Sequence, residues 1–189
     1  MIDAPSEDVP SDVELCGDKV RLREFRAVDV DDSLAVVGDD RVTQYLSFDS
    51  RSRDQAREMI IETTARAGMQ PRTEYYLAVT PLDGERLIGF ARLGLTGVKA
   101  AKLGYAIAAT HWGRGYATDA IRTMLNFAFD RLDLHRVTAA IGPGNAASLA
   151  IVERLGFVHE GRLRDHVFTN GAWRDSLLYS ILRPEWRPG

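Results

Sequence analysis

The sequence predicts an α+β fold with a mixed, mostly antiparallel sheet of about seven strands and helices on both faces. Two strand-like runs flank residues 81–84, Pro-Leu-Asp-Gly, which have the composition of a hairpin turn. A third apolar run at 101–109 follows directly, so the three strands form a meander. Two further runs, at 157–168 and 174–182, indicate a C-terminal hairpin.

The first third of the domain carries one strand signal and two helix signals. Residues 19–25 alternate apolar and basic side chains, as a half-buried strand does. Asp29 is suited to cap a helix that runs to Val37, and the segment 41–48 has no regular pattern. A second helix begins with a capping box at Ser52 and extends to about residue 67.

The remaining elements follow from the same two periodicities. Strands are predicted at 74–80, 86–95 and 136–141. Apolar residues recur at helical spacing on one face of the segment 116–132, so this segment is predicted to be an amphipathic helix. A shorter helix is predicted over 146–154, between two strands.

Composition describes one globular domain and excludes several classes of protein. The chain has 189 residues, 45% of them hydrophobic, and a net charge of −3, so it shows no basic footprint for nucleic acid. The single cysteine, Cys16, excludes a disulfide framework and suits a reducing cytoplasm. We find neither a signal peptide nor an apolar run of the ~18 residues that a membrane span requires.

The N-terminus differs from the rest of the chain in composition. Residues 1–16 contain five acidic side chains and no basic one, together with Pro5 and Pro10. This composition predicts a disordered acidic arm, with a contact segment as the alternative, and residues 17–189 then form a single domain.

The central stretch 103–118 predicts an anion-binding turn. A buried strand ends near Ala109, Gly113 and Gly115 form a turn with little side chain over it, and a helix begins at Tyr116. Free amides and the helix dipole converge on such a turn, where a phosphate can approach the main chain. The alternative is a tight turn that uses its glycines only for positive φ.

Two common phosphate-binding motifs do not match this turn. A P-loop would continue with Gly-Lys-Ser or Gly-Lys-Thr, which is absent. A dinucleotide fingerprint would place a small residue where Thr118 stands and an acidic residue at the end of the next strand. That strand ends instead in Gly-Pro-Gly at 142–144.

Three motifs in this order resemble the GNAT N-acetyltransferase superfamily. They are the stretch 111–119, which contains W-G-R-G-Y-A, the helix from Asn145 to the L-G-F at 155–157, and the tail N-G-A-W-R-D at 170–175. The resemblance extends from about Lys19 to Arg183 and is similar in detail to the RimJ/RimL-type branch, the ribosomal-protein alanine N-acetyltransferases.

The resemblance implies acetyl-coenzyme A as the cofactor. In the family the diphosphate binds to main-chain amides of the glycine turn, and the pantetheine amides pair with the end of the preceding strand. The implied diphosphate-binding residues are Trp112, Gly113, Arg114, Gly115, Tyr116, Ala117 and Thr118. Those implied for the pantetheine arm are Ile107, Ala108, Ala109, Asn145 and Ser148.

Two residues of the second motif have both a structural and a functional interpretation. Asn145 is either a helix N-cap alone or also a contact of the pantetheine arm. Ser148 is either an ordinary first-turn serine or, as its position in the branch implies, a hydroxyl that stabilises or protonates the thiolate. Many family members carry a tyrosine seven residues after the asparagine as that acid, and here the position is Val152.

The general base has no clear candidate. Many members place a glutamate on the strand before the turn, but residues 101–105 contain no carboxylate. We consider four candidates in the C-terminal hairpin and favour His166 and Glu160 among them. The other two are Asp165 and Asp175, the latter better explained as a structural hydrogen-bond partner. No set of histidines, His135 and His159 included, predicts a metal site.

These observations predict an acetyl-coenzyme A-dependent N-acetyltransferase that acts by direct attack of a primary amine. At neutral pH an α-amine, with a pKa near 8, needs about 1 kcal/mol to lose its proton, and a lysine amine, near 10.4, needs roughly 4–5 kcal/mol. Without a dedicated base, an N-terminal α-amine is the favoured acceptor. The alternatives are an aminoglycoside or polyamine acceptor and a non-catalytic coenzyme-binding module. The resemblance places the acceptor between the two N-terminal helices and also allows a homodimer.

Overall fold

A computed structural model describes residues 12–188. In this part of the chain eight strands form one sheet in the order β1-β2-β3-β4-β5-β6-β8-β7. Every neighbouring pair is antiparallel except β5 and β6, which are parallel. The strands are β1 (Glu14–Cys16), β2 (Val20–Arg23), β3 (Glu74–Pro81), β4 (Gly89–Thr96), β5 (Ala100–Ile107), β6 (Arg136–Ile141), β7 (Val158–Thr169) and β8 (Ala172–Leu182).

Helices cover both faces of the sheet, as the sequence predicts. They are α1 (Val30–Val37), α2 (Asp40–Thr43), α3 (Arg53–Ala67), α4 (Tyr116–Asn126) and α5 (Ala146–Arg154). Helices α4 and α5 bury apolar side chains such as Ile121 and Val152 in the larger core. Helices α1 and α3 bury a second core on the opposite face, which contains Val36 and Ile60. The predicted fold class is therefore confirmed.

The predicted arm is too long at its C-terminal end. Residues 14–16 form β1, in which Leu15 pairs with Leu22, and the preceding Val13 is buried. Val13 and Leu15 alternate as strand residues do, but the prediction followed the acidic composition of the segment. The disorder prediction is therefore wrong at this end. The remaining part of the predicted arm, residues 1–11, lies outside the described residues.

Three local predictions about the helices have different outcomes. The capping box is present, since Ser52 accepts the amide of Gln55 and the Gln55 side chain accepts the amide of Ser52. Asp29 precedes α1 but makes no side-chain cap bond, because its carboxylate binds the buried guanidinium of Arg23 at 2.8 Å through both oxygens. The segment predicted as irregular contains the short helix α2.

Candidate active site

The parallel strands β5 and β6 separate before either of them ends. Their register runs from Ala100 opposite Arg136 to Leu103 opposite Ala139 and goes no further, although β5 continues to Ile107. We call the opening between residues 104–107 of β5 and the end of β6 the strand gap. It leaves one edge of β5 without a neighbouring strand, so an extended ligand can pair with that edge.

The backbone direction of β5 determines which groups face the strand gap. The amide of Ala108 donates to the carbonyl of Ile88 at 2.8 Å, toward β4. Because backbone groups alternate in direction along a strand, Tyr105 and Ile107 direct theirs toward the gap. The indole of Trp112 already donates to the Ile107 carbonyl, at 2.7 Å. The groups left for a ligand are the amide and carbonyl of Tyr105 and the amide of Ile107.

This geometry can be compared with the residues predicted for the pantetheine arm. Ile107 retains its amide, but Ala108 faces β4, and Ala109 begins a single turn of 3-10 helix that ends at His111. The unpaired edge of β5 therefore begins two residues before the segment predicted for the pantetheine arm, and it includes Tyr105. The sequence carried a signal for it, because Tyr105 lies two residues before Ile107 and alternate residues of a strand share one edge.

The predicted diphosphate-binding residues form one loop and the first turn of α4. We call residues 112–118 the glycine loop. Gly113 and Gly115 have φ of 75° and 82°, in the left-handed region that favours glycine. A Cβ added to Gly113 would meet no heavy atom within 4 Å, so the space over Gly113 is open, whereas a Cβ added to Gly115 would lie 3.0 Å from the Lys19 ammonium. Unpaired amides at a helix start, with the helix dipole behind them, suit an anion.

A buried carboxylate at the start of α4 fixes this helix to β2. Asp119 is 5% exposed, and its oxygens accept the amides of Asp18, Lys19 and Val20 at 3.2, 2.8 and 3.0 Å. The Lys19 ammonium donates to the carbonyl of Arg114, at 3.1 Å, and adds positive charge beside the glycine loop. Sequence reasoning assigned no role to Asp119 or Lys19, since each acts on residues about 100 positions away.

The second motif begins α5 beside the strand gap. The side chain of Asn145 accepts the amide of Ser148 at 3.1 Å, so it is an N-cap, as one of its two interpretations predicts. Ser148 is half-buried and its hydroxyl lies next to that of Tyr105. Burial raises the pKa of Tyr105 to about 12, and the neighbouring Ser148 hydroxyl acts in the opposite direction.

The two favoured base candidates occupy different places. Glu160 binds Arg136, at the start of β6, and accepts the Ser180 hydroxyl at 2.7 Å. Both partners hold the pKa of Glu160 below its ordinary value, and Arg136 lies at the opposite end of β6 from the strand gap. The sequence does not reveal these contacts, because Glu160, Arg136 and Ser180 lie on three different strands, β7, β6 and β8. The structure therefore does not bring Glu160 together with Ser148.

His166 lies at the level of the sheet where β6 ends. It sits in a bulge of β7, and its Nδ1 lies 2.9 Å from the Ser176 hydroxyl. Ser176 directly precedes Leu177, which pairs with Ile141 at the end of β6. Burial, and secondarily the charge of Lys102, lower the pKa of His166, which favours a neutral imidazole at pH 7.

Asp175 has the structural role that the sequence favours. Its carboxylate accepts the backbone amide of Asp165, at 2.9 Å, and binds the guanidinium of Arg162. These contacts, in that order, lower the pKa of Asp175. Across residues 12–188 no group of three histidine, cysteine, aspartate or glutamate side chains is arranged to hold a metal ion, and no helix there is long and apolar enough to cross a membrane.

Comparison with known proteins identifies the family. Residues 19–158 match the model of the acetyltransferase (GNAT) domain, which is most of the chain. The chain belongs to the GNAT family. GNAT proteins are named for N-acetyl transfer, and this chain is an N-acetyltransferase, as the sequence predicts.

Several relatives show how far the GNAT likeness extends. The uncharacterized N-acetyltransferase YoaA of Bacillus subtilis is 31% identical over 88% of this chain and 95% of its own length. The [ribosomal protein uS5]-alanine N-acetyltransferase of Escherichia coli is 30% identical over 61% of each chain. The structure of Mycobacterium smegmatis RimJ in complex with CoA-disulfide has a TM-score of 0.78 and 25% identity, covering 92% of this chain and 88% of the other.

Proposed function

We propose that this GNAT protein transfers the acetyl group of acetyl-coenzyme A to a primary amine, with the N-terminal α-amine of a protein or peptide as the favoured acceptor. The observation that carries the proposal is the strand gap beside the glycine loop. A ligand that suits both has a diphosphate at one end and an amide-bearing arm at the other, and acetyl-coenzyme A has this form. The coenzyme A disulfide bound by the related RimJ supports the same assignment.

Two kinds of group among the described residues would bind the coenzyme: backbone amides and positively charged side chains. The amides of the glycine loop would hold the diphosphate, and Lys19 and Arg114 would add positive charge beside it. The amides of Tyr105 and Ile107 would donate to the carbonyls of the pantetheine arm. Asn145 contributes by fixing the start of α5, and thereby Ser148, at the far end of that arm.

The chemistry requires a proton acceptor for the amine and stabilisation of the leaving thiolate. Acetyl-coenzyme A supplies the acetyl group, activated as a thioester. We assign the neutral imidazole of His166 as the acceptor of the amine proton, directly or through a water molecule, as the new C–N bond forms. The Ser148 hydroxyl then stabilises the sulfur, which takes the electron pair of the broken C–S bond.

The contacts of two candidate carboxylates within residues 12–188 favour an α-amine over a lysine as the acceptor. Glu160 and Asp175 are both engaged with arginines. His166, with its lowered pKa, can deprotonate an amine of pKa near 8 far more easily than one near 10.4, where the cost is roughly 4–5 kcal/mol. The relative named for an alanine of ribosomal protein uS5 supports a protein acceptor.

Two measurements test the proposal in sequence. Calorimetry should first show coenzyme A binding to the purified protein. A thiol-release assay with acetyl-coenzyme A should then give faster turnover with N-terminal peptides than with Nα-blocked lysine peptides, aminoglycosides or polyamines. Binding without release on any of these amines would contradict the enzyme assignment, and faster release with blocked lysine peptides would contradict the α-amine assignment alone.

The proposal also extends to the setting of the enzyme. We propose that it acts in the cytoplasm without nucleic acid or membrane partners, in keeping with its net charge of −3 and its lone cysteine. The homodimer stays a prediction from the resemblance. Light scattering coupled to size-exclusion chromatography would measure the mass in solution, and a mass of one 21.0 kDa chain would exclude the dimer under those conditions.

A further inference from the structure

The hydroxyl of Tyr105 is buried without a partner. Within residues 12–188 it makes no hydrogen bond of normal geometry, although the oxygen is shielded from solvent. A buried polar group without a partner costs roughly 1–3 kcal/mol, and such groups in native proteins call for an explanation. One explanation is that the partner arrives with a ligand.

Its place in the fold indicates which part of a ligand it would meet. Tyr105 belongs to the part of β5 that borders the strand gap, and its side chain packs on the core that α4 and α5 cover. Its hydroxyl lies next to Ser148 in the first turn of α5. Val152, one turn further along α5, is fully buried and has no polar atom in its side chain.

We propose that Tyr105 is a catalytic residue whose hydroxyl donates a hydrogen bond to the coenzyme A sulfur as the C–S bond breaks. This inference rests on the function proposed above. The electron pair of the C–S bond passes to sulfur. The Tyr105 hydroxyl can donate to that sulfur, because it has no hydrogen-bond partner of normal geometry among the described residues. Ser148 lies beside it, and in the complex with coenzyme its hydroxyl orients the phenol toward the sulfur, so that the effect on the sulfur assigned above to Ser148 is exerted through Tyr105.

The hydroxyl keeps its proton throughout this step. A thiol has a pKa near 8.5, whereas burial raises the pKa of Tyr105 to about 12. Full transfer of the proton to the thiolate is therefore disfavoured by roughly a thousandfold. Tyr105 acts as a neutral donor, and the thiolate takes its proton from solvent after it leaves. A hydrogen bond to a charged partner is stronger than one between neutral groups.

The first test uses the protein without coenzyme. Tyr105→Phe removes only the hydroxyl and keeps the ring, so its urea midpoint should equal or exceed that of the wild type. Tyr179→Phe is the matched control, since the Tyr179 hydroxyl donates to Glu153 at 2.9 Å and its loss should lower the midpoint. A clear loss of stability in Tyr105→Phe would mean that the hydroxyl has a protein partner, and would overturn the proposal.

The second test measures the ionisation of bound coenzyme A from the ultraviolet absorbance of its thiolate as pH rises. The wild type should stabilise the bound thiolate over the thiol by about tenfold relative to Tyr105→Phe, the effect of one hydrogen bond to a charged group. Desulfo-coenzyme A, which lacks the sulfur, should bind equally to both. Equal thiol ionisation in both proteins would overturn the proposal.

The third test measures turnover with the best amine acceptor of the wild type. Tyr105→Phe should lower kcat by about 10- to 100-fold with little change in the acceptor KM, as expected for a bond made in the transition state. Tyr179→Phe should keep the wild-type kcat. Full kcat in Tyr105→Phe would overturn this inference and leave the proposed function intact. A wild type that neither binds coenzyme A nor releases thiol would instead overturn both.

A double-mutant cycle with Ser148→Ala tests the coupling between the two hydroxyls. If Ser148 orients Tyr105 toward the sulfur, the two substitutions together should lower kcat by much less than the product of their separate effects. Strictly multiplicative effects would mean that the hydroxyls act independently, and the orienting role assigned to Ser148 would be wrong.

Discussion

The proposed site has two sides: a donor side, where the coenzyme would bind, and an acceptor side, where the amine would bind. The donor side consists mainly of backbone groups, whereas the acceptor side consists mainly of side chains. On the donor side, backbone groups of β5 and the glycine loop face the binding space, and side chains such as Asp119 only hold that backbone in place. Under the proposed function, the acceptor side would lie on the opposite face of the sheet, next to α1 and α3. There the surface consists of side chains contributed by segments far apart in sequence.

Long-range contacts hold the acceptor side together. The Arg174 guanidinium binds the carbonyls of Gln44 and Leu46, the latter at 2.6 Å, so β8 is fixed to the segment after α2. The tip of the C-terminal hairpin carries Phe168 and Trp173, which are 57% and 61% exposed and lie edge to face with 5.2 Å between ring centroids. Single substitutions can change the specificity of a surface made of side chains. They cannot do so in the same way on the donor side, where backbone groups face the ligand.

The largest effect is expected where a side chain holds the donor backbone. Asp119→Ala leaves three backbone amides of residues 18–20 without their acceptor and should lower the free energy of unfolding by roughly 3 kcal/mol. Coenzyme A affinity should fall with it, because β2 no longer fixes the first turn of α4. Asp130→Ala, an exposed change in the same helical segment, should alter stability by less than about 0.5 kcal/mol. Equal urea midpoints for the two variants would contradict this role.

A substitution at Gly104 should weaken binding of the acceptor alone and leave coenzyme A binding unchanged. It lies on β5 opposite Arg92, facing away from α4 and α5, and an added Cβ would meet nothing within 4 Å. We expect Gly104→Leu to raise the acceptor KM about tenfold, equivalent to about 1.4 kcal/mol, because the side chain occupies space on that face. Gly104→Ala should have little effect. Coenzyme A affinity measured by calorimetry should be unchanged in both, and a loss there would place Gly104 on the donor side.

A substitution at Gly113 should weaken coenzyme A binding and leave acceptor binding unchanged. Its φ of 75° makes Gly113→Ala cost about 1 kcal/mol, and the loop conformation that relieves the strain turns the amides away from the diphosphate. Coenzyme A affinity should fall about fivefold, with the acceptor KM unchanged. Gly97→Ala is the control, because its φ of 57° creates the same strain in the β4–β5 turn and its Cβ also meets nothing within 4 Å. An equal loss of affinity in both variants would contradict direct binding by the loop.

The smallest effect concerns pH. The pKa of His166 is lowered in the folded protein, first by burial and then by Lys102. The neutral side chain therefore contributes stability above the ordinary histidine pKa of about 6.5, and this contribution is lost as pH falls below it. His166→Gln should flatten the decline of the free energy of unfolding, measured by urea denaturation, between pH 7 and 5. His111, whose pKa is also lowered, keeps its own share of the decline. An unchanged slope would contradict the assignment.

The difference between the two sides also explains what the sequence could reveal. Backbone sites leave a local signal, because Gly113 and Gly115 must occupy their positions for the loop to turn before α4. The same is true of the cap at Asn145. The strand and helix patterns predicted the fold class for the equivalent reason, since each is a property of neighbouring residues.

What the sequence could not reveal depends on contacts between distant segments. Glu160 looked available as a base until its partners Arg136 and Ser180 were located on other strands. Asp119 looked like an ordinary first-turn carboxylate until β2 was placed against it. The strand gap itself has no signature in either strand alone, because it is a property of where two strands cease to pair.

The separation of β5 and β6 has a consequence for the protein before it binds anything. The sheet carries an incomplete ladder in its middle, and the bound pantetheine arm would complete it as a short substitute strand. Coenzyme A should therefore slow amide hydrogen exchange most strongly at Tyr105 and Ile107. Under the proposed function, the enzyme would therefore reach its full secondary structure only together with its acetyl donor.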